Sequence, residues 1–166
     1  MPPTRGETLS DFEALLCDGE TFRSTPLSEA LGSRGGVVVS TGFAFSAIAR
    51  NWWKRFDRAG WGEFEDVAVL GVSRDGPYAQ SAFLRRLGRP DFRFFADVDG
   101  TVSESLDLLT DRDHMADVST PWRAAFVVDA DREVRYAHVA DDWISPLPRS
   151  EIESVVGTLG AETADE

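Results

Sequence analysis

Two short runs of β-branched residues, separated by one helix-sized segment, constrain the fold of this chain more than any other feature. The runs are GGVVVST at 35–41 and DVAVLGVS at 66–73, and both are typical of buried strands. The segment between them favours a helix from about Ser46 to Arg58 that ends near Gly60. Because parallel strands need a crossover of this length, the pattern predicts a parallel βαβ unit.

The later segments continue this alternation and then change to antiparallel pairing. Pro77 stands in the first turn of a predicted helix that ends at Gly88. A short strand in FRFFADVDG and a short helix in TVSESLDLL follow, and RAAFVVDADREVRYAHV has the form of a β-hairpin. Ser150 and Glu153 have capping-box spacing at the start of a last helix. The whole order predicts a thioredoxin-like α/β fold, with a central mixed β-sheet flanked by helices.

The length of 166 residues fits one domain, which we place at 6–160, with flexible termini at 1–5 and 161–166. No apolar run approaches the ~20 residues that span a bilayer, and no secretory signal is visible. These observations predict a cytoplasmic protein without a membrane partner.

The charge balance is strongly acidic, with 29 Asp and Glu against 17 Lys and Arg and a formal net charge of -12. This charge argues against nucleic acid as a partner. Lys54 is the only lysine in the chain. Acid excess with so little lysine is typical of salt-loving archaea, whereas a GC-rich genome that favours arginine codons is the simpler alternative.

Four segments resemble, in order, landmarks of the peroxiredoxin family of alkyl hydroperoxide reductase C and thiol-specific antioxidant. They are SDFEALLCDGETF, VLGVSRDGPYAQSAFLRRLG, FFADVDGTVSESLDLL and RAAFVVDADREVRYAHVADD, and the resemblance runs from about Gly6 to Leu159. It implies a Phe-Thr-Pro-x-Cys motif at the start of the first long helix, whose cysteine thiolate attacks peroxide. No cofactor is implied.

The motif is incomplete in this chain. Phe45 matches its Phe, Ser46 keeps the hydroxyl of its threonine, and Ala47 replaces its proline. Ala49 stands where the peroxidatic cysteine belongs, although an alignment slip of two residues would put Ala47 there. Arg123 matches the arginine that completes the family's peroxide pocket. The resemblance therefore implies a degenerate pocket of Ser46, Ala49 and Arg123, in which a small anion or peroxide-like ligand could still bind.

Cys17 is the only cysteine, which excludes an internal disulfide, a Cys-x-x-Cys redox pair and a cysteine-based zinc site. It precedes an Asp-Gly turn and is flanked by Asp18 and Glu20, whose charges would raise its thiol pKa. We interpret it as a half-buried hairpin cysteine rather than as a replacement nucleophile.

Two other groups of residues are candidates for a site. Asp111, Asp113, His114 and Asp117 in DRDHMAD carry metal-binding groups, but a solvated acidic loop is the preferred interpretation, so no metal is expected. His138 alternates with Tyr136 on a predicted strand and is interpreted as structural.

Trp52, Trp53, Phe56 and Trp61 crowd the first long helix and its exit. Adjacent tryptophans lie about 100° apart on a helix. Either one of them is exposed and Trp52, Trp53 and Phe56 form a homodimer or partner surface, or both pack in the core.

Three hypotheses about function remain open. We favour a non-catalytic binding or regulatory relative of the thiol peroxidases, because the cation and the hydroxyl are kept and the nucleophile is lost. The second is an active antioxidant peroxidase that uses Cys17 or the thiol of a partner. The third is a structural subunit that pairs with an active peroxiredoxin.

Overall fold

The computed structural model describes residues 1–88 and 91–160 of the chain. Its strands are β1 Glu13–Cys17, β2 Phe22–Pro26, β3 Gly35–Ser40, β4 Val67–Ser73, β5 Phe92–Ala96, β6 Leu109–Arg112, β7 Val118–Pro121, β8 Ala124–Val128 and β9 Val134–Val139. Its α-helices are α1 Leu27–Ala30, α2 Ala47–Arg58, α3 Pro77–Arg86, α4 Thr101–Ser105 and α5 Arg149–Val156. Short 3₁₀ turns cover Trp61–Glu63 and Asp113–Met115. The segment 161–166, predicted to be a flexible terminus, lies outside the described residues.

Seven of these strands form one mixed sheet, in the order β2-β1-β5-β4-β3-β8-β9. β3, β4 and β5 are parallel, with Val39 opposite Gly71 and Gly71 opposite Phe94. The strands on either side, β1 and β8, are antiparallel to their neighbours β5 and β3. The predicted βαβ unit and the predicted mixed central sheet are both confirmed, and so is the β8–β9 hairpin.

Apolar side chains cover both faces of the sheet, which explains why the central strands are apolar throughout. Val37 and Val39 point into the core layer that α2, α3 and α5 close, and Val38 points into the opposite layer. All six residues of β3 are buried. With its two faces filled, the sheet holds the carboxyl ends of β3 and β4 in fixed positions, and these ends carry the loops around the candidate site.

The aromatic cluster of α2 is buried, so of the two alternatives for Trp52, Trp53 and Phe56 the structure has packing in the core and not an exposed partner surface. These side chains are only 4%, 1% and 3% exposed. Trp53 packs against Phe56 edge to face, with 5.3 Å between the ring centres, and the guanidinium of Arg123 lies 4.4 Å from the ring centre of Trp52. Trp52 also lies beside Pro146 and Leu147 of the loop beyond β9, while Trp53 packs against Phe92 and Phe94 of the sheet.

One local prediction in the second half of the chain is wrong, and another holds only in part. Helix α5 begins at Arg149, and no side chain of the described residues caps its amino end, so Ser150 and Glu153 do not form a capping box. Glu153 instead accepts a hydrogen bond from Trp61 Nε1 at 2.9 Å and pairs with Arg149 Nε at 3.2 Å. Packing against the Trp61 indole has replaced the local cap.

The helix predicted in TVSESLDLL ends early, at Ser105, and Leu109 already begins a strand. β6 and β7 then form a separate two-stranded hairpin that was not predicted. Its tip turns through Ala116 and Asp117, with φ values of 55° and 59°. Because these residues are not the glycines that usually mark such a turn, no local pattern indicates it.

Among the described residues, none of the helices combines the length and apolar character that a membrane span requires.

Candidate functional site

The structure brings the predicted residues Ser46, Ala49 and Arg123 to one cavity of about 140 Å³. The loop after β3 and the first turn of α2 form one wall, which includes Thr41, Phe43 and Ile48. The opposite wall is formed by Arg112, Met115, Arg123 and Trp143. The cavity thus lies where the amino end of a helix meets the carboxyl end of a buried strand.

Ser46 acts as the cap of α2. Its Oγ accepts a hydrogen bond from the amide of Ala49 at 3.3 Å and donates one to the carbonyl of Phe43 at 2.9 Å. The hydroxyl proton is therefore donated to the Phe43 carbonyl rather than to a ligand in the cavity. The amides of Ala47 and Ile48, in the same first turn, have no intrahelical partner and remain as donors at the positive end of the helix.

Asp75 holds the loop that leads into α2. Its Oδ2 accepts hydrogen bonds from the amide of Ala44 at 2.6 Å and from the hydroxyl of Ser73 at 2.9 Å. Gln80, which is fully buried, donates to the same hydroxyl at 2.6 Å. Sequence reasoning missed this network, although an acidic residue just after a buried strand was a signal for it. The network fixes the wall of the cavity that carries Ala49.

Ala49 lines the cavity and is 1% exposed, whereas Ala47 is exposed and does not line it. Of the two alignments considered for the missing cysteine, the one that uses Ala49 therefore places a side chain at the cavity. A cysteine at this position would lie in the first turn of α2, on the same cavity as two arginines.

Arg123 lies directly before β8 and is 4% exposed. Its Nη1 donates to the carbonyl of Ser145 at 2.9 Å, and its Nη2 donates to the carbonyl and to Oδ1 of Asp142 at 2.7 and 3.0 Å. Its buried Nε has no hydrogen-bond partner among the described residues. Burial lowers the pKa of Arg123, while the nearby Asp142 carboxylate opposes that change. Arg123 is thus a buried cation whose Nε donor has no hydrogen-bond partner among the described residues.

Asp142 organises the turn that holds Arg123. Its Oδ1 accepts hydrogen bonds from the amides of Ile144 and Ser145 at 2.9 and 2.7 Å, and its Oδ2 accepts one from the Ser145 hydroxyl at 2.6 Å. The hydrogen bonds from Ser145 are the main reason that the pKa of Asp142 falls to about 2. The carboxylate therefore stays ionised throughout the physiological pH range.

Arg112 is a second cation in the cavity, and sequence reasoning missed it. Its guanidinium lies 3.6 Å from the ring centre of Trp143, which in turn stacks on Trp122 at 4.2 Å. Its Nη2 lies 3.0 Å from Nε2 of His114, and its buried Nε has no hydrogen-bond partner within the described ranges. No spacing rule could have found it, because the unpredicted β6–β7 hairpin brings it to the cavity.

The acidic residues next to Arg112 do not converge on a metal site. Asp111 accepts a hydrogen bond from the Ser119 hydroxyl at 2.6 Å, across the β6–β7 hairpin. In the part of the chain that the structure describes, no group of three or more His, Cys, Asp or Glu side chains could hold a metal ion. His138 lies in β9 opposite Ala125 and does not line the cavity.

Cys17 is far from the cavity, and its predicted half-burial is wrong. It is the last residue of β1 and is fully buried. β5 and β4 separate β1 from β3, so at ~4.8 Å per strand Cys17 lies about 14 Å to the side of the strand that leads into the cavity. Burial raises the pKa of its thiol to about 11. At neutral pH Cys17 is a protonated, enclosed thiol.

We expect Cys17 to be inert in the folded protein, because the thiolate is the reactive species and very little of it forms below pH 9. Iodoacetamide and hydrogen peroxide should leave the thiol unmodified at pH 8, by mass spectrometry, over times that fully modify the protein unfolded in guanidinium. The unfolded sample is the control that shows that the reagents are active and that the thiol can be modified. Stoichiometric modification of the folded protein at the unfolded rate would contradict this assignment.

Comparison with known proteins identifies the family of this chain. The model of the AhpC/TSA family matches residues 6–137. No curated protein sequence matches the chain.

Solved peroxiredoxin structures share the fold. Reduced 2-Cys peroxiredoxin of Plasmodium vivax is 19% identical with a TM-score of 0.81, over 98% of this chain and 85% of that one. Mycobacterium tuberculosis AhpC is 20% identical with a TM-score of 0.77, over 100% of this chain and 96% of that one. Enterococcus faecalis AhpC is 20% identical with a TM-score of 0.74, over 100% of this chain and 98% of that one. The thioredoxin-like α/β fold of the peroxiredoxins is thereby established, and with a family model that matches most of its length, the chain belongs to the AhpC/TSA family.

Proposed function

We propose that this chain is a non-catalytic, ligand-binding member of its family, with Ala49 at the position of the peroxidatic cysteine. The observation that carries the proposal is the composition of the cavity. It contains Ala49 in the first helical turn together with Arg123, and none of the described residues that line it carries a thiol. A thiol peroxidase needs a thiolate at the point where peroxide binds, and this cavity has the cation without the nucleophile.

The same cavity suits a small anion. Arg123 supplies positive charge and an Nε donor without a partner among the described residues, and the first turn of α2 supplies the amide of Ile48, a residue that lines the cavity. Among the described residues that line the cavity none is acidic, although the chain contains 29 acidic residues. A bound anion would satisfy the unpaired donor and balance the buried charge.

The two other hypotheses have less support. A peroxidase that works through Cys17 would need a buried thiol with a raised pKa to act about 14 Å away from the cavity wall. A structural subunit that pairs through the α2 aromatics would need exposed rings, and these rings are buried. We also propose, from the composition alone, a cytoplasmic protein of a salt-loving organism.

Arg123→Ala should strongly weaken anion binding, because it removes the buried charge that the ligand would pair with. The measurement is the change in tryptophan fluorescence on titration with sulfate, phosphate and formate, since Trp143 lines the cavity and Trp52 touches Arg123. We expect saturable binding in the natural chain and a loss of about tenfold or more in affinity in the variant.

Arg55→Ala is the matched control, because Arg55 is exposed on the outer side of the same helix. A melting curve of each variant establishes that it is folded. Equal binding by the natural chain and Arg123→Ala would show that the anion lies elsewhere. Steady turnover of peroxide with a thiol reductant, in the natural chain and in Cys17→Ser, would contradict the non-catalytic part of the proposal.

A further inference from the structure

We propose that the ligand of this cavity is a short-chain monocarboxylate, held between Arg112 and Arg123, and that Arg112 determines this specificity. The inference rests on the proposed anion-binding function and names its ligand class. Charge, donors, apolar surface and volume of the cavity each restrict the ligand in a different way.

The charge of the cavity selects an anion with a single negative charge. Arg112 and Arg123 are the two cations among the described residues that line it, and of these Arg123 is paired with the carboxylate of Asp142. Within the described residues, Arg112 contacts His114, Thr120 and the ring of Trp143, none of which is an acid. Two guanidinium groups and one carboxylate leave one positive charge without a partner. A monoanion neutralises it, whereas a dianion would bury an excess negative charge.

The free donors favour a carboxylate as that anion. The Nε groups of Arg112 and Arg123 are both buried, and both lack a hydrogen-bond partner in the described part of the chain. A planar carboxylate has two oxygens, so each can accept from a different guanidinium. Besides burial, the positive charge of Arg112 lowers the pKa of Arg123, because two like charges on one cavity repel each other. A carboxylate between them converts this repulsion into attraction.

Apart from Thr41 and Ser46, the side chains that complete this small cavity are apolar or aromatic. Phe43, Ile48, Ala49 and Met115 contribute hydrocarbon or thioether surface that offers no side-chain donor to a second charged group. A cavity of about 140 Å³ is close in volume to an engineered cavity that accommodates benzene. A carboxylate with about two to four carbon atoms has at most the same number of heavy atoms, so it fits with its chain against this surface.

Arg112 is positioned before any ligand arrives. Its guanidinium is stacked on Trp143, and Trp143 is stacked on Trp122 with an angle of 10° between the rings. Stacking leaves the edge of a guanidinium available for in-plane hydrogen bonds while it fixes the plane. A fixed second cation gives a site for a bidentate planar anion, and a site with Arg123 alone would not distinguish it from other small anions.

The test is a fluorescence titration in which chloride is replaced by formate, acetate, propionate, butyrate or hexanoate at constant ionic strength, with sulfate as the comparison anion. In the natural chain we expect the tightest binding for propionate or butyrate, and about tenfold weaker binding for sulfate and for hexanoate. Arg112→Gln should lose about tenfold in propionate affinity, Arg112→Lys should regain only part of it, and the control Arg55→Gln should lose none.

The outcomes separate this inference from the function on which it rests. Anion binding that needs Arg123 but is unchanged in Arg112→Gln, or that is tightest for sulfate, overturns the carboxylate assignment and leaves the proposed function standing. Binding of no anion by the natural chain overturns both. The chain-length series uses only the natural protein, so it remains decisive even if a substitution at Arg112 prevents folding.

Discussion

Ala49→Cys, made in a Cys17→Ser background, is expected to create a thiol that titrates below the ~8.5 of a free cysteine and reacts with hydrogen peroxide. Position 49 is the third residue of α2, where the positive end of the helix favours a thiolate. It also lines the cavity with Arg112 and Arg123. The Cys17→Ser background contains no cysteine, so any thiol reactivity of this variant comes from position 49.

Burial alone would raise the thiol pKa at position 49, as it does at Cys17. Burial is the main reason that the pKa of the Cys17 thiol rises to about 11, and the charge of Asp18 adds to the rise. At position 49 two guanidinium groups share the cavity, and one of them has no carboxylate partner in the described part of the chain. A thiolate would complete the same charge balance as the proposed ligand, so we expect the cations to outweigh the cost of burial.

The measurement is the rate of alkylation against pH, followed by the rate of peroxide consumption. Ala47→Cys in the same background is the matched control, because Ala47 lies in the same helical turn but is exposed and outside the cavity. If the thiol at position 47 were the more acidic and the more peroxide-reactive of the two, the alignment slip of two residues would be right. Full activity is not expected, since Ala47 replaces the proline of the family motif.

The parts of the fold that the sequence predicted are those with local patterns. The valine runs of β3 and β4 are apolar on both faces, and their burial between two core layers is what such runs require. The β6–β7 hairpin was missed because its partner strands are four residues each and partly exposed, and Ala116 and Asp117 rather than glycine form the tip. Trp52 was ambiguous because a loop more than 80 residues later, which supplies Pro146 and Leu147, covers it.

The candidate site likewise combines residues that the sequence indicates with residues that only the structure reveals. Ser46, Ala49 and Arg123 could be located through the resemblance, and the structure places them on one cavity. Arg112 and Trp143 could not, because they meet only when the hairpin and the loop beyond β9 fold over α2. The contact between a guanidinium and an indole joins residues at no fixed separation in sequence, so no motif indicates it. The residues that would decide ligand choice are therefore the ones that only tertiary structure reveals.

The melting temperature of the protein is expected to rise by roughly 6–12 °C between 0.1 and 1 M salt, because screening weakens repulsion among its acids. The formal net charge of -12 makes the surface carboxylates repel one another in the folded state. The Debye length falls from ~10 Å to ~3 Å over this range. If screening raises the free energy of unfolding by about 3 kcal/mol, the melting temperature of a domain of this size rises by roughly 6–12 °C.

The arginines do not balance these acids, because acidic residues outnumber basic ones by 29 to 17. Five of them donate hydrogen bonds to backbone carbonyls and so hold the fold together rather than the surface charge: Arg34, Arg74, Arg85, Arg93 and Arg132. Arg123 is enclosed in the cavity. Several guanidinium groups thus donate to backbone carbonyls, and the acidic residues remain in excess.

Calorimetric scans in sodium chloride and in potassium chloride measure the effect, and the same scans at pH 4.5 are the control. Partial protonation of the carboxylates at that pH reduces the negative charge, so the salt-dependent rise should become smaller there. Sodium sulfate is unsuitable as the test salt, because it also strengthens apolar burial in proteins without a charge excess. A melting temperature that is flat in both chlorides at pH 7 would mean that the acidic surface is not adapted to salt, and the excess of arginine over lysine would then reflect codon usage alone.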